Sequence, residues 1–246
     1  MTGETSKVAI VTGASRGIGA AVAERLAGDG FAVAINYSGD TRSAEALARK
    51  IEGFGGRALT FQADVSDPGA VRGLFDAAEA AFGGVDVLVN NAGIMRLAKV
   101  ADSDDALFDR QVAVNLKGSF NGMREAARRL RDGGRIVNFS TSVVGTRLET
   151  YSVYAATKSA VETMTAILSK EMRGRNITVN AVAPGPTATD MFLDGKSPEW
   201  IDRLAKMNPM ERLATPSDIA SVVAFLVGPD GGWINGQVLR ANGGMV

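Results

Sequence analysis

The chain has 246 residues, 46% of them hydrophobic, and equal numbers, 27 each, of basic and acidic residues. This balance creates no net field that would favour nucleic acid or an anionic membrane, so we expect neither partner. Without cysteine or histidine the chain has no thiolate nucleophile, no disulfide and no imidazole base, and we expect no metal site. Acid–base chemistry has to use Tyr, Lys, Asp or Glu.

Residues 1–7 lack a cationic flank followed by an apolar segment. No later apolar run approaches the length of a membrane span. We therefore expect a cytoplasmic protein.

Short apolar runs typical of strands alternate with helical patterns. The predicted strands are 8–11, 32–36, 58–62, 85–90, 135–140, 178–183 and 237–240. The predicted helices are 17–29, 41–54, 68–82, 104–130, 151–173 and 216–227. This alternation predicts an α/β fold: one Rossmann-type, doubly wound parallel sheet of about seven strands with helices on both faces. We expect one domain, 1–246, in which the irregular segment 184–209 covers the substrate as a lid.

A glycine turn, residues 12–19, joins the first strand to the first helix. Glycines let the backbone approach a pyrophosphate, and the N–H groups of the first helical turn receive its charge. A tight turn without a ligand uses the same residues, so the turn alone is a weak signal. As a nucleotide site, it contributes Gly13, Ser15, Arg16, Gly17, Ile18 and Gly19.

Chemically suggestive residues follow four other predicted strands. In a doubly wound sheet, ligands bind beyond the carboxyl ends of the strands, where strand order reverses. Each group alone suits a turn or a helix cap, but their joint occurrence at this edge predicts one site. The groups are Asp64-Val65, Asn90-Asn91-Ala92-Gly93, Ser140-Thr141-Ser142 and Pro184-Gly185.

The end of the second strand bears on the choice of cofactor. Sites for NAD usually carry an acidic residue there, which would repel a 2′-phosphate. This chain has Asn36, Tyr37 and Ser38, with Arg16 in the glycine turn. We favour NADP(H) over NAD(H), while the nearby Asp40 keeps NAD(H) open.

Tyr154 and Lys158 lie four residues apart on a predicted helix and so share one face. A nearby ammonium stabilises a phenolate and lowers its pKa from about 10. The pair therefore suits proton transfer, although the same spacing occurs in purely structural helices.

These motifs, together with Asn115, stand in an order that resembles the short-chain dehydrogenase/reductase family along essentially the whole chain, most closely its NADPH-dependent 3-oxoacyl thioester reductases and related carbonyl reductases. The resemblance implies that Tyr154 exchanges a proton with the substrate oxygen and that Lys158 holds the nicotinamide ribose. It implies that Ser142 hydrogen-bonds the substrate oxygen and that Asn115, by distorting its helix, holds a relay water.

The resemblance also implies cofactor contacts. Thr187 and Thr189, with Pro184 and Gly185, match residues that anchor the carboxamide and phosphates. Asp64 and Val65 match positions that contact adenine. The positions beside the adenosine ribose are matched by Asn91, Ala92 and Gly93.

The position of the catalytic hydroxyl depends on the alignment. The family most often places it thirteen residues before the tyrosine, at Thr141 in this chain. Alignment from residues 143–145 favours Ser142, whereas alignment from residues 134–136 favours Thr141. We assign Ser142 and keep Thr141 as the alternative.

The expected substrate is a small carbonyl compound or secondary alcohol. A 3-oxoacyl thioester leads, and sugar, polyol or general alcohol dehydrogenases are alternatives, as is a non-catalytic NADP-binding sensor or scaffold. The segments that line the pocket contain Met95, Arg96, Glu149, Tyr151, Met191, Phe192 and Trp200.

Two expectations concern partners. A basic patch could bind an acidic carrier protein; it consists of Arg128, Arg129, Arg131, Arg173 and Arg175. In the alternative interpretation, these arginines are solvated residues at helix ends. The resemblance implies a homotetramer through helices 104–130 and 151–173, with a dimer as the alternative.

Overall fold

A single sheet contains every strand of the computed structural model, which describes residues 6–246. The expectation drawn from residues 1–7 concerns mostly residues outside this range. The strands are β1 (Val8–Val11), β2 (Ala32–Tyr37), β3 (Arg57–Gln62), β4 (Val85–Asn90), β5 (Leu130–Phe139), β6 (Thr178–Pro184) and β7 (Val238–Ala241). They are parallel in the order β3-β2-β1-β4-β5-β6-β7, so the predicted α/β fold is confirmed.

Helices cover both faces of the sheet. They are α1 (Gly17–Gly28), α2 (Thr41–Gly53), α3 (Pro68–Phe82), α4 (Asp105–Gln111), α5 (Gly118–Arg129), α6 (Val143–Thr146), α7 (Ser152–Glu171), α8 (Asp190–Leu193), α9 (Pro198–Ala205) and α10 (Pro216–Val227). A π-helix, Val112–Lys117, joins α4 to α5. None of the helices in the described range is long and apolar enough to cross a membrane.

The sheet separates two apolar cores. Successive side chains of a strand point to opposite faces, so Ala9 and Val11 of β1 belong to one core while Ile10 belongs to the other. The first core includes residues of α1, α2 and α10, and the second includes residues of α3, α5 and α7. Burial on both faces explains why the strands read as continuous apolar runs rather than as alternating patterns.

Strand order reverses at β1, since β2 lies on one side of it and β4 on the other. The loops that leave β1 and β4 are tied together at this point. Thr12 Oγ1 accepts hydrogen bonds from Asn91 N and Ala92 N, both at 3.0 Å. Asn91 Nδ2 donates to Thr12 O at 2.9 Å and to Gly13 O at 3.0 Å. These bonds join the two loops that border the crevice in which such folds bind ligands.

The predicted helix 104–130 is not continuous. It consists of α4, the π-helix and α5, and its last residue belongs to β5. Within the π-helix the Asn115 side chain bonds the main chain of Ile94, and Ser119 Oγ donates to Asn115 O at 2.7 Å. Local insertion of this kind is a recognised feature of functional sites in helices.

The segment 184–209 is more ordered than predicted, because it contains α8 and α9. Thr189 caps α8 by accepting from Phe192 N, and Ser197 caps α9 by accepting from Trp200 N. Pro198 at the start of α9 strengthens this signal. The short helix α6 was also not predicted.

Candidate active site

A cavity of about 570 Å³ lies at the carboxyl edge of the sheet. Every residue predicted to contact the cofactor lines it. These residues are Gly13, Ser15, Arg16, Gly17, Ile18, Gly19, Asn36, Tyr37, Ser38, Asp64, Val65, Asn91, Ala92, Gly93, Tyr154, Lys158, Pro184, Gly185, Thr187 and Thr189. The topology therefore brings five loops, separate in sequence, to one space.

The glycine turn can take its observed form only with glycine at key positions. Gly13 and Gly17 have φ of 61° and 59°, in the left-handed region that side chains disfavour. A Cβ on Gly19 would lie 2.5 Å from both Asn91 Nδ2 and Gly13 O, so the position has no room for a side chain. Arg16, the N-cap of α1, gives no side-chain cap. The N–H groups of the first turn of α1 are thus available to an anion at the helix terminus.

Asn36 lines the cavity but does not act as a free donor. Its Oδ1 accepts from Gly13 N at 3.2 Å, and its Nδ2 donates to Ala63 O at 3.0 Å. The side chain is buried. Our expectation that the Asn36 side chain serves a phosphate is wrong, because it supports the glycine turn. The exposed Ser38 stays available at this end.

Asp40 is engaged as the N-cap of α2. Its carboxylate accepts from Ser43 N at 3.1 Å. This hydrogen bond, with smaller contributions from the nearby Arg16 and Arg42, holds the pKa of Asp40 below its usual value. Arg16 also lies 3.9 Å from Asp190 of α8, and both side chains are exposed. The carboxylate at this end is therefore directed into a helix cap, with Arg16 and Arg42 nearby.

Lys158 is buried in the wall of the cavity. Its Nζ donates to Phe139 O, at the end of β5, at 2.8 Å. Burial lowers the pKa of this ammonium to about 8. A Cβ on Gly93 would lie 3.5 Å from Lys158 Nζ and 3.3 Å from Asn115 Oδ1, so both side chains reach the same glycine.

The phenol of Tyr154 has the opposite shift to the one predicted. Desolvation raises the pKa of Tyr154 to about 12, although the nearby Thr141 hydroxyl lowers it, and the neighbouring Tyr151 adds to the rise. The expected lowering by Lys158 is wrong for this structure, because the ammonium is directed to Phe139 O and loss of water around the phenol dominates.

The two hydroxyls at the end of β5 have different partners. Ser142 Oγ donates to Ala183 O at 3.2 Å and accepts from Asn242 Nδ2 at 3.0 Å, so its hydrogen bonds lie within the protein. The Thr141 hydroxyl accepts from Val143 N at 3.3 Å and lies near enough to the phenol of Tyr154 to lower its pKa. Thr141, the alternative in the sequence, therefore lies near the phenol, while the hydroxyl of Ser142 is engaged by Ala183 and Asn242.

Asn115 is fully buried behind the cavity and does not line it. Its Oδ1 accepts from Ile94 N at 2.8 Å and its Nδ2 donates to Ile94 O at 2.9 Å. The helix is distorted at this residue, as the family resemblance implies, since it lies within the π-helix Val112–Lys117.

We call the mainly apolar set of lining residues outside the predicted cofactor contacts the substrate end; it contains Met95, Val143, Leu148, Tyr151, Met191, Phe192, Leu204 and Met245. Met95, Tyr151, Met191 and Phe192 line the cavity as predicted, whereas Arg96, Glu149 and Trp200 do not. Sequence reasoning missed further lining residues, among them Val143, Leu148, Leu204 and Met245.

Asn242, which follows β7, was also missed. Besides its bond to Ser142, its Oδ1 accepts from Gly244 N at 3.0 Å and Met245 N at 3.2 Å. The available signal was an Asn-Gly-Gly sequence after a predicted strand, which is the same kind of signal that identified the other loops of this edge.

The predicted basic patch is largely neutralised. Arg129 pairs with Asp76 at 2.6 Å and Glu79 at 2.5 Å. Arg131 pairs with Asp86 at 3.1 Å and Arg175 with Asp132 at 2.9 Å. These arginines fit the interpretation as solvated helix ends better than a receptor for an acidic protein.

Comparison with known proteins identifies the family. A family profile described as "Enoyl-(Acyl carrier protein) reductase" matches residues 13–246. A short-chain type dehydrogenase/reductase of Picea abies is 48% identical over 250 residues, which cover 98% of this chain and 92% of the relative. The chain belongs to the short-chain dehydrogenase/reductase family, whose members are oxidoreductases.

Two other members of this family extend the comparison. An NADPH-dependent aldehyde reductase-like protein, chloroplastic, from Arabidopsis thaliana is 45% identical over 254 residues, covering 98% of this chain and 94% of the relative. The crystal structure of a short chain dehydrogenase from Burkholderia cenocepacia J2315 in complex with NADP has a TM-score of 0.92 at 42% identity and covers 97% of each chain. Both likenesses extend over nearly the whole chain.

Proposed function

We propose that this protein is an NADP(H)-dependent carbonyl reductase, which transfers a hydride between the nicotinamide and a ketone or aldehyde. The observation that carries the proposal is the placement of Tyr154, Lys158 and Thr141 in the same cavity as the glycine turn. The NADP in the Burkholderia structure and the printed name of the Arabidopsis relative support the choice of cofactor.

The cavity suits a dinucleotide. The left-handed backbone of Gly13 and Gly17 and the uncapped N-terminus of α1 fit a pyrophosphate. Arg16 and the exposed Ser38 would hold a 2′-phosphate, and Asp64 and Val65 would contact adenine. Further contacts would come from Asn91, Ala92, Gly93, Pro184, Gly185, Thr187 and Thr189. When bound, the dinucleotide supplies or accepts the hydride.

The raised pKa of Tyr154 suits reduction. With a pKa of about 12 the side chain is a phenol at neutral pH, and it can donate a proton to a carbonyl oxygen. We propose that the Thr141 hydroxyl donates to the same oxygen, in place of Ser142. Lys158 would hold the ribose hydroxyls, and the distorted helix at Asn115 would hold a water that returns protons toward Lys158.

The walls of the substrate end indicate an apolar substrate. Met191, Phe192 and Leu204 come from the segment 184–209, which supports a lid over this end. Binding of polyols or sugars would place their hydroxyl groups against apolar side chains. The hydroxyl groups would then lose hydrogen bonds with water without replacing them, which is unfavourable. The pairing of Arg129, Arg131 and Arg175 gives no support to docking of a carrier protein, so we propose a free ketone or aldehyde rather than a carrier-bound 3-oxoacyl thioester.

We also propose a homotetramer. Large apolar side chains stand exposed on α4, α5 and α7, the helices implied by the family resemblance; they are Phe108, Phe120 and Ile167. Burial of such side chains between copies would remove apolar area from water. A cytoplasmic location stays a prediction.

The test is NADPH oxidation against a panel of aldehydes and ketones, with NADH measured in parallel. We expect turnover of at least one carbonyl compound and a higher kcat/KM for NADPH than for NADH. Sound NADPH binding without turnover across the panel would instead indicate the sensor or scaffold.

A further inference from the structure

The loop between α6 and α7 contains unusual backbone. Arg147 has φ of 52° and Thr150 has φ of 71°. Positive φ is a genuine outlier for a β-branched residue such as threonine, and it persists only where surrounding structure enforces it. Here Thr150 O accepts a hydrogen bond from Ala98 N at 3.1 Å, which ties the loop to the segment after β4.

The consequence of this backbone is the placement of Tyr151, the next residue. The residue is buried, with 6% of its surface exposed, and lines the cavity. It meets the ring of Tyr154 edge-on, with centroids 6.3 Å apart and planes at 66°. A second phenol is therefore fixed beside the one that we propose as proton donor.

The hydroxyl of Tyr151 has unused hydrogen-bonding capacity. Among the hydrogen bonds within residues 6–246, none engages its phenol oxygen, and burial by itself raises its pKa. The oxygen is not among the buried side-chain atoms of the described residues that lack a partner, so it remains accessible to a ligand or solvent. Because the group stays protonated at neutral pH, it can donate a hydrogen bond to an acceptor on a bound substrate.

The apolar side chains of the substrate end make the Tyr151 hydroxyl a determinant of substrate preference. Leu148, Met191, Phe192 and Met245 line the cavity and contribute apolar side chains. In a mainly apolar pocket, a few placed polar groups decide orientation and specificity. A polar oxygen on the substrate would therefore be drawn toward Tyr151.

We propose that Tyr151 is a specificity-determining residue that donates a hydrogen bond to a second oxygen of the substrate, adjacent to the carbonyl oxygen that Tyr154 protonates. The favoured substrates are then carbonyl compounds with a neighbouring oxygen, such as vicinal dicarbonyls and α-hydroxy carbonyls. This inference rests on the proposed carbonyl reductase function.

The experiment compares 2,3-butanedione with 2-butanone, which share a four-carbon chain and differ in the second oxygen. We measure kcat/KM for both with saturating NADPH, using the full chain and Tyr151→Phe. Loss of one neutral hydrogen bond should lower kcat/KM for the diketone about 3- to 10-fold in Tyr151→Phe. The value for 2-butanone should change less than about twofold, because that substrate offers no partner to the hydroxyl.

Two further variants serve as controls. Tyr37→Phe removes the same hydroxyl at the β2 end of the cavity and should alter both substrates equally. Thr150→Gly keeps the positive φ without strain, so it should retain the wild-type ratio of the two kcat/KM values. Thermal unfolding of all variants shows whether the folded state is preserved.

The outcomes separate the two proposals. An equal effect of Tyr151→Phe on both ketones, or a wild-type enzyme that reduces 2-butanone but not the diketone, overturns the inference and leaves carbonyl reduction standing. A wild-type protein that binds NADPH but reduces neither ketone nor any other carbonyl of the panel overturns the proposed function, and the inference with it.

Discussion

Asn242 donates a hydrogen bond of 3.0 Å to Ser142 Oγ, which also donates to Ala183 O. The adjacent hydroxyl, that of Thr141, lies near enough to the phenol of Tyr154 to lower its pKa. We therefore expect Thr141→Ala to lower kcat about 10- to 100-fold, since it removes a hydrogen bond to developing charge on the substrate oxygen. Steady-state reduction of the best carbonyl of the panel measures this effect.

Ser142→Ala provides the comparison. It should lower the free energy of unfolding by about 1–3 kcal/mol, because Asn242 loses a buried acceptor, while kcat stays within severalfold of wild type. Thr141→Ser keeps the hydroxyl and should restore most of the activity. Collapse of kcat in Ser142→Ala but not in Thr141→Ala would return the role to Ser142.

Arg16 should decide the preference for NADPH. Arg16→Ala removes a charge-assisted contact to the 2′-phosphate and should raise KM for NADPH about 10- to 100-fold, with little effect on NADH. Arg49 is a matched control because its side chain is 66% exposed, against 68% for Arg16, and lies on α2. If Arg16→Ala and Arg49→Ala give the same KM for NADPH, the assignment of Arg16 is wrong.

Lys158 should make stability depend on pH. Its pKa falls from 10.5 to about 8 on burial, so the unfolded chain binds more protons between these values. Stability must then rise with pH across this window. Lys158→Met lacks this titration, so its unfolding free energy relative to wild type should depend on pH. The difference, variant minus wild type, should be about 3 kcal/mol larger at pH 7 than at pH 10.5. Urea unfolding without added nucleotide tests this, and a difference independent of pH would contradict it.

The tetramer can be tested on α5. Phe120 is 45% exposed, and Arg124 lies 5.2 Å from its ring centroid. Phe120→Glu places a charge where we expect a contact between copies, so the mass in light scattering should fall below that of the tetramer. Phe54→Glu, at a ring 49% exposed beyond α2, should leave the mass unchanged. A wild-type mass in Phe120→Glu would place the interface elsewhere.

The fold could be predicted from the sequence because helix caps, apolar runs and turns are local sequence patterns. The boundaries of α3 and α10 were predicted correctly, since Asp67 and Thr215 cap helices that begin with proline. Strands buried on both faces give continuous apolar runs, and the chemically active loops follow from topology, since parallel strands end at the same edge.

The parts that failed depend on contacts between distant residues. The π-helix is associated with a bond between Asn115 and Ile94, 21 residues apart, which no helical periodicity records. The partner of Ser142 lies 100 residues away, at Asn242, so spacing from Tyr154 did not decide between two neighbouring hydroxyls. The pKa of Tyr154 depends on desolvation, which is a property of the packed chain.

The most direct measurement is the rate of NADPH oxidation by Tyr154→Phe with a carbonyl substrate of the wild-type protein. The substitution removes only the phenol hydroxyl, so NADPH affinity and thermal stability should be close to wild type. We predict that kcat falls about 10²- to 10⁴-fold, the usual contribution of a positioned general acid. A variant that binds NADPH normally and keeps the wild-type kcat would contradict the account.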